Sequence, residues 1–241
     1  MAFKSSVILI FPALLAAGLV FSIFFDYVSI TTAILAFVVS ILIYLLLVSI
    51  VLGFFQTPEV KEISRGPFNY YYVPYQDAYW NAAKKFHVIL NPKDYNLIMD
   101  KVEFLAWYWD APDYLKDPNM ARSFFGFVVK ENDKKTKEIL QRAKFKYIEL
   151  PKWQAVEAFL RVFIELTYSL APMILLDPIF KYVKKRYPEM HNRFVTYEMC
   201  AGEYMSYGYI VSSNREFFNK LTPYPEPEMN EKGIEALDKF K

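Results

Sequence analysis

The sequence predicts an α+β domain of two similar strand–helix–strand–strand halves, preceded by transmembrane helices. Three observations predict it. Residues Tyr27 to Pro58 hold no charge, and from Ile34 to Phe55 they are almost unbroken aliphatic and aromatic, the length a membrane-crossing helix needs at 1.5 Å rise per residue. All but two of the charged residues, Lys4 and Asp26, follow that stretch, so the rest of the chain has the composition of an ordinary folded domain. In that remainder, apolar patterns of period 2 and period 3.6 alternate in an order that occurs twice.

Taken in order, Ser5 to Phe25 is a further uncharged segment between Lys4 and Asp26. It is longer than the apolar core of a signal peptide and ends on Phe24-Phe25-Asp26 without a small-residue cleavage pattern. The reading is an anchor over residues 1–58, with helices at about 5–25 and 32–55 forming a hairpin and turning near Asp26. Lys4, Lys61 and Arg65 flank the hairpin while its turn carries only Asp26, which places both ends in the cytosol.

Residues 59–221 form the α+β domain. Gly66-Pro67 breaks the chain after the anchor. Phe68 to Tyr75 is a strand, Gln76 to Phe86 a helix, and Lys101 to Trp109 a strand with Val102, Phe104, Ala106 and Tyr108 on one face and Glu103, Leu105, Trp107 and Trp109 on the other. Residues Ala111 to Asn119 are a turn-rich loop and Arg122 to Val129 a strand. Lys134 to Ala143 is a polar helix, Phe145 to Leu150 a strand stopped by Pro151, and Trp153 to Val162 a strand with Val156, Ala158 and Leu160 on one face. Leu170 to Tyr187 is helical, with a kink or a start expected at Pro178. Arg193 to Cys200 and Glu203 to Val211 make a hairpin around Ala201-Gly202. The sheet is expected to be antiparallel with its helices on one face. Residues 222–241 form a short extended tail, with a helical end from Gly233.

Composition excludes several functions. The net charge is +2 with no run of bases, so no nucleic-acid partner is expected. A single cysteine, Cys200, excludes a disulfide framework, and with no Asn-x-Ser/Thr site it suits a cytosolic domain. Two histidines, His87 and His191, form no metal-ligand cluster, the seven glycines form no phosphate loop, and no Ser/His/Asp signature occurs. No catalytic residue, metal or cofactor is expected, and the protein is read as a non-enzyme. The tyrosines at 70, 71, 72, 75 and 79 are the densest aromatic patch, divided between core and membrane interface.

The order of elements and several strings resemble the testis-expressed protein 264 family between Arg65 and Leu221. These are Pro112-Asp113 through Asp117-Pro118, Ser123 to Val129, Leu140 to Pro151, Asp177 to Tyr187, and Tyr197-Glu198-Met199 leading into Tyr204 to Val211. The resemblance implies a gyrase-inhibitor-like domain, related to the SOUL proteins, behind a membrane anchor. It implies two halves enclosing a cleft on the sheet face away from the helices, with Glu198 in that cleft. It also implies an endoplasmic-reticulum membrane protein with its domain in the cytosol, acting as an autophagy receptor for Atg8-type proteins. The short tail lacks the family's aromatic-x-x-aliphatic docking motif; the near match Glu216 to Leu221 abuts the last strand.

Glu198 shares a strand face with Thr196 and Cys200, while Val195, Tyr197 and Met199 take the other. With the second set against the helices, Glu198 faces the cleft, where Trp107 and Trp109 would help it hold a cationic or aromatic ligand; the alternative is a surface glutamate paired with a base. The leading expectation is an endoplasmic-reticulum adaptor in contact with the bilayer and a protein partner. The alternative is a membrane-tethered small-ligand binder using Glu198, Trp107 and Trp109.

Overall fold

The computed structural model describes residues 14–18, 20, 29–52, 55, 57–89, 92–98, 101–162, 166–188, 195–211 and 221–238. Most of the first apolar segment, including its turn at Asp26, and the near match at Glu216 to Lys220 lie outside them, as does His191. The elements are α1 (Ile30–Leu52), β1 (Val60–Arg65), β2 (Phe68–Gln76), α2 (Tyr79–Ile89), α3 (Pro92–Ile98), β3 (Glu103–Tyr108), β4 (Arg122–Val128), α4 (Lys134–Arg142), β5 (Lys146–Leu150), β6 (Trp153–Arg161), α5 (Leu166–Arg186), β7 (Thr196–Ala201), β8 (Tyr204–Ile210) and α6 (Glu231–Asp238). Helix α1 has 23 residues, about 35 Å of length. It is long and apolar enough to cross a bilayer, and its side chains are almost all exposed.

Eight strands form one antiparallel sheet in the order β1-β6-β8-β7-β3-β4-β2-β5. The order mirrors about the β7–β3 seam: β1, β6, β8 and β7 on one side answer β5, β2, β4 and β3 on the other. Chain connectivity forces the sheet to curl. Strands β1 and β2 stand six places apart, about 29 Å in a flat sheet, yet only Gly66-Pro67 joins them, a reach of about 11 Å. The same holds for β5 and β6, joined by Pro151-Lys152. The two links touch, since a Cβ on Gly66 would lie 2.7 Å from the Pro151 carbonyl oxygen, and Gly66 has φ +79°.

Curling buries both faces of the sheet. The concave face is filled by the chain's own aromatics: Trp107, Trp153 and Tyr197 meet with ring centroids 5.0–5.8 Å apart, and Phe68 adds an edge contact to Trp153 at 5.5 Å. Tyr70, Tyr72, Leu105, Met199 and Leu221 complete this layer. The other face carries the helices. Ala82 and Phe86 of α2, with Ile139 and Leu140 of α4, pack on Tyr71, Ala106, Phe125 and Phe127. Ala171, Leu175, Ile179 and Val183 of α5 pack on Val156, Ala158, Leu160, Met205 and Tyr207. Each half has a glycine flanked by aromatics, Phe125-Gly126-Phe127 and Tyr207-Gly208-Tyr209. A Cβ on Gly208 would lie 2.3 Å from the Tyr197 ring, and one on Gly126 2.0 Å from the Tyr71 carbonyl oxygen.

Several expectations need correction. Strand β1 was not anticipated, because Val60–Arg65 carries three charges and only two apolar residues; it is an edge strand, where charge is tolerated. Helix α2 starts at Tyr79, three residues later than expected. Helix α5 starts at Leu166 and runs through both Pro172 and Pro178 without ending. Its stripe of Ala171, Leu175, Ile179 and Val183, spaced four apart and fully buried, outweighs the backbone bonds the prolines forfeit. Tyr70, Tyr71 and Tyr72 are all core, distributed over both faces of the sheet.

The tail does not extend freely. Leu221 is buried in the concave layer and its carbonyl accepts from Tyr72 Oη at 3.1 Å. Met229 bridges to Leu115, and Asn230 Nδ2 donates to the Asp113 and Leu115 carbonyls at 2.8 and 3.1 Å. Asn230 Oδ1 accepts from Gly233 N at 3.0 Å, capping α6.

Candidate functional site

Strand pairing fixes which face each candidate takes. Glu198 lies opposite Ala106 on β3 and Tyr207 on β8, while Trp107 lies opposite Tyr197. Residues in register share a face, so Glu198 is on the helix face and Trp107 and Trp109 are on the concave one. The expected trio is therefore not brought together. Tyr197 and Met199 turn away from the helices, the reverse of the assignment that put Glu198 in a cleft with the tryptophans. Trp107 is fully buried and Trp109 nearly so in the self-packed aromatic layer, which leaves them no ligand to meet there.

On the helix face, Glu198 sits at the β3–β7 seam, where the two halves meet. Tyr108 Oη donates to Glu198 Oε2 at 2.8 Å, Tyr207 Oη donates to the same oxygen at 2.7 Å, and the Cys200 thiol lies 3.7 Å from Oε1. Tyr79 of α2 covers Tyr108 at a centroid distance of 4.8 Å. Tyr79 is itself fixed: its hydroxyl donates to the Asp110 carbonyl and accepts from Asp110 N at 3.0 Å. The Asp110 carboxylate in turn holds the buried Arg122 through Nε at 2.9 Å and Nη2 at 2.8 Å.

Glu198 keeps partial solvent exposure. Among the described residues no base lies within salt-bridge distance of it. Burial pushes its carboxyl above the ordinary range, and the hydrogen bonds from Tyr207, Tyr108 and Cys200 offset part of that rise. Burial, with the Glu198 charge second, lifts both phenols well above their usual value. The Cys200 thiol is pushed up by burial and then by Glu198, so it stays protonated and unreactive at neutral pH. Among the described residues, the arrangement is a carboxylate with no base beside it, ringed by phenols.

A second carboxylate escaped the sequence reading. Glu157 on β6 is fully buried on the concave face and accepts from Arg65 Nε and Nη2, both at 2.7 Å, and from Tyr197 Oη. Its charge is answered by a guanidinium, whereas among the described residues Glu198 meets no base. Arg65 was counted as a charge that orients the anchor; it belongs to this pair, and Lys61 pairs with Glu59 at 2.7 Å. Among the described residues, no group of three or more His, Cys, Asp or Glu side chains is placed to hold a metal ion.

No protein-family model and no curated protein matches the chain. Among solved structures, the C-terminal domain of EcmrR is similar at 8% identity over 64% of this chain and 98% of that one, with a TM-score of 0.38. An uncharacterized conserved protein from Listeria innocua is similar at 10% identity over 65% and 94%, TM-score 0.39. EcmrR in its complex with DNA is similar at 10% identity over 81% and 76%, TM-score 0.39. Likeness at this level says nothing about what this chain binds.

Proposed function

We propose that the protein is a membrane-tethered binder of a small cationic or aromatic ligand, received between α2 and α5 by Glu198 with Tyr108, Tyr207 and Tyr79 as aromatic walls. The domain is read as gyrase-inhibitor-like, of the kind carried by the testis-expressed protein 264 family. Its support is the mirrored strand order, the helix laid on each half and the apolar helix ahead of β1. The observation that carries the ligand reading is Glu198, a residue that is only partly buried and whose carboxylate meets no base among the described residues. A cation placed there gains the carboxylate charge, with the phenol rings beside it.

The test is thermal unfolding of the full chain in detergent with benzyltrimethylammonium as probe. A midpoint raised by the probe, and not raised in Glu198→Gln, supports the reading. An equal rise in both proteins, or none in either, refutes this site.

The second reading is an adaptor of the endoplasmic reticulum, its domain in the cytosol and bound to a protein partner, Atg8-type proteins among them. What favours it is the outer edge strand β5, which pairs only with β2 and carries Tyr147 at 47% exposure, because an open edge accepts a strand from a partner. Protease protection on microsomes, with a tag at Lys241, tests the orientation: a protected tag removes every cytosolic partner. A partner retained by Glu198→Gln and lost on a β5 edge substitution would favour this reading over the first.

A further inference from the structure

Helices α2 and α5 lie on one face of the sheet, and their outward sides share a character. On α2, Trp80, Lys84 and Val88 stand four residues apart and form one exposed stripe, with Trp80 at 62% and Val88 at 83% exposure. On α5, Met173 is 71% exposed and begins an outward row continued by Asp177, Lys181 and Lys184. The two helices carry six lysines and arginines and a single acid, Asp177, in a chain whose net charge is +2. Asp177 is already bonded to Lys181 at 2.6 Å. Lys84, Lys184 and Lys185 are exposed and enter no salt bridge among the described residues. The first half of α5, Leu166 to Leu176, has no charge at all. Finally, α1, the helix long enough to cross a bilayer, packs against α5.

We infer that the outer surface of α2 and α5 rests on the headgroup layer of the bilayer that α1 crosses, with Trp80, Val88 and Met173 in the interface and Lys84, Lys184 and Lys185 against anionic lipid phosphates. The inference rests on the membrane-tethered reading and adds the face that meets the lipid. Tryptophan is favoured at the interface, and lysines beside apolar residues keep their stems on the acyl boundary and their ammonium groups at the phosphates. Such helices sit about 5–10 Å into the headgroup and acyl boundary. Anionic lipid adds to the attraction for each base near the surface. The contact of α1 with α5 holds α5 close to the bilayer.

The chain's tryptophans make the test direct. Trp107, Trp109 and Trp153 are buried, which leaves Trp80 as the exposed one. The full chain is reconstituted into phosphatidylcholine–phosphatidylserine vesicles with and without acyl-chain bromine, and its emission is compared with that of Trp80→Phe. The Trp80 component, taken as the difference, is expected to fall about two-fold with shallow brominated lipid, in keeping with interfacial depth. It is also expected to be shielded from iodide in the water. A triple Lys84→Glu, Lys184→Glu, Lys185→Glu chain should lose the brominated-lipid quench and regain the iodide quench. Equal bromine quenching of wild type and Trp80→Phe, with Trp80 open to iodide, overturns the inference. Alkaline washing separates the two failures: a chain that washes off the vesicles refutes the tether, whereas one that stays while Trp80 remains in water refutes only this face.

Discussion

The Arg65–Glu157 pair makes a sharp prediction because its two members sit in unequal surroundings. Glu157 has a side-chain exposure of 0% and Arg65 one of 23%, with two hydrogen bonds of 2.7 Å between them. Arg65→Met strands a carboxylate among Trp107, Trp153 and Tyr197, with the Tyr197 hydroxyl as its remaining donor; removing one partner of a buried pair costs about 3–5 kcal/mol. Glu157→Gln strands the arginine instead, but the guanidinium reaches water and the amide still accepts a bond, so the loss is about 2–3 kcal/mol. A domain of this size moves about 2–4 °C per kcal/mol, so Arg65→Met lowers the midpoint by about 6–20 °C and Glu157→Gln by less. The double change Arg65→Met with Glu157→Leu should recover most of the loss, since an apolar pair of similar volume replaces a buried ion pair at little cost. The assay is thermal unfolding of the full chain in detergent followed by near-ultraviolet circular dichroism, to which the packed Trp107, Trp153 and Tyr197 rings contribute. Single substitutions that each shift the midpoint by under about 3 °C, or a double worse than both, would refute the reasoning.

Other predictions follow from the same geometry. Gly208→Ala drives a methyl into the Tyr197 ring and should cost about 1–3 kcal/mol, while Gly126→Ala meets backbone that cannot move aside and should abolish folding, read as loss of the unfolding transition. Because the folded state raises the Glu198 carboxyl, the native chain holds that proton to higher pH than the unfolded one. Stability from this group therefore falls as pH rises from the ordinary carboxylate value through the raised one, and Glu198→Gln should remove that slope in denaturant titrations. Asp133 caps α4 by accepting from Thr136 N at 3.1 Å, and its carboxyl is lowered by the Thr136 bonds. Asp133→Ala should cost about 1 kcal/mol at neutral pH, a difference that fades as pH falls through the lowered value. Asn230→Ala frees the tail from the Asp113 and Leu115 carbonyls and should make the segment after Leu221 the first site of limited proteolysis.

Alternation made the strands legible. Val102, Phe104, Ala106 and Tyr108 separate from Leu105, Trp107 and Trp109 as read from the sequence. What alternation could not give was which face meets the helices. That question has a sequence answer only when one face is polar, and here the curl buries both, so the more apolar set of β7, Tyr197 and Met199, was matched to the helices and belongs to the concave layer. The hairpin carried an unused signal. A two-residue turn at Gly202-Glu203, with Gly202 at φ +61°, sets Glu198 opposite Tyr207 by counting alone. Tyr108 had no such signal, because it reaches Glu198 through the pairing of β3 with β7, strands about ninety residues apart in sequence, and Tyr79 joins it only by packing on its ring. Strand β1 was hidden for the opposite reason: its charges read as an anchor flank, whereas one of them, Arg65, reaches under the sheet to Glu157.

The contrast between the two carboxylates connects fold to function. Each sits in an aromatic setting and each accepts from a tyrosine, yet among the described residues only Glu157 is given a guanidinium. An arginine at 2.7 Å offsets part of the cost of burying the Glu157 carboxylate; among the described residues Glu198 meets no base, which leaves its charge open to an arriving cation. If α2 and α5 rest on the bilayer as inferred, a cation that approaches Glu198 from their outer side must be amphiphilic enough to gather at the interface. A hydrophilic cation such as tetramethylammonium should then bind Glu198 no better in vesicles than in detergent. A cation with an apolar ring or chain should bind more tightly in vesicles at equal bulk concentration, because the interface concentrates it beside the site. Equal gains for both probes would mean that Glu198 is approached from water.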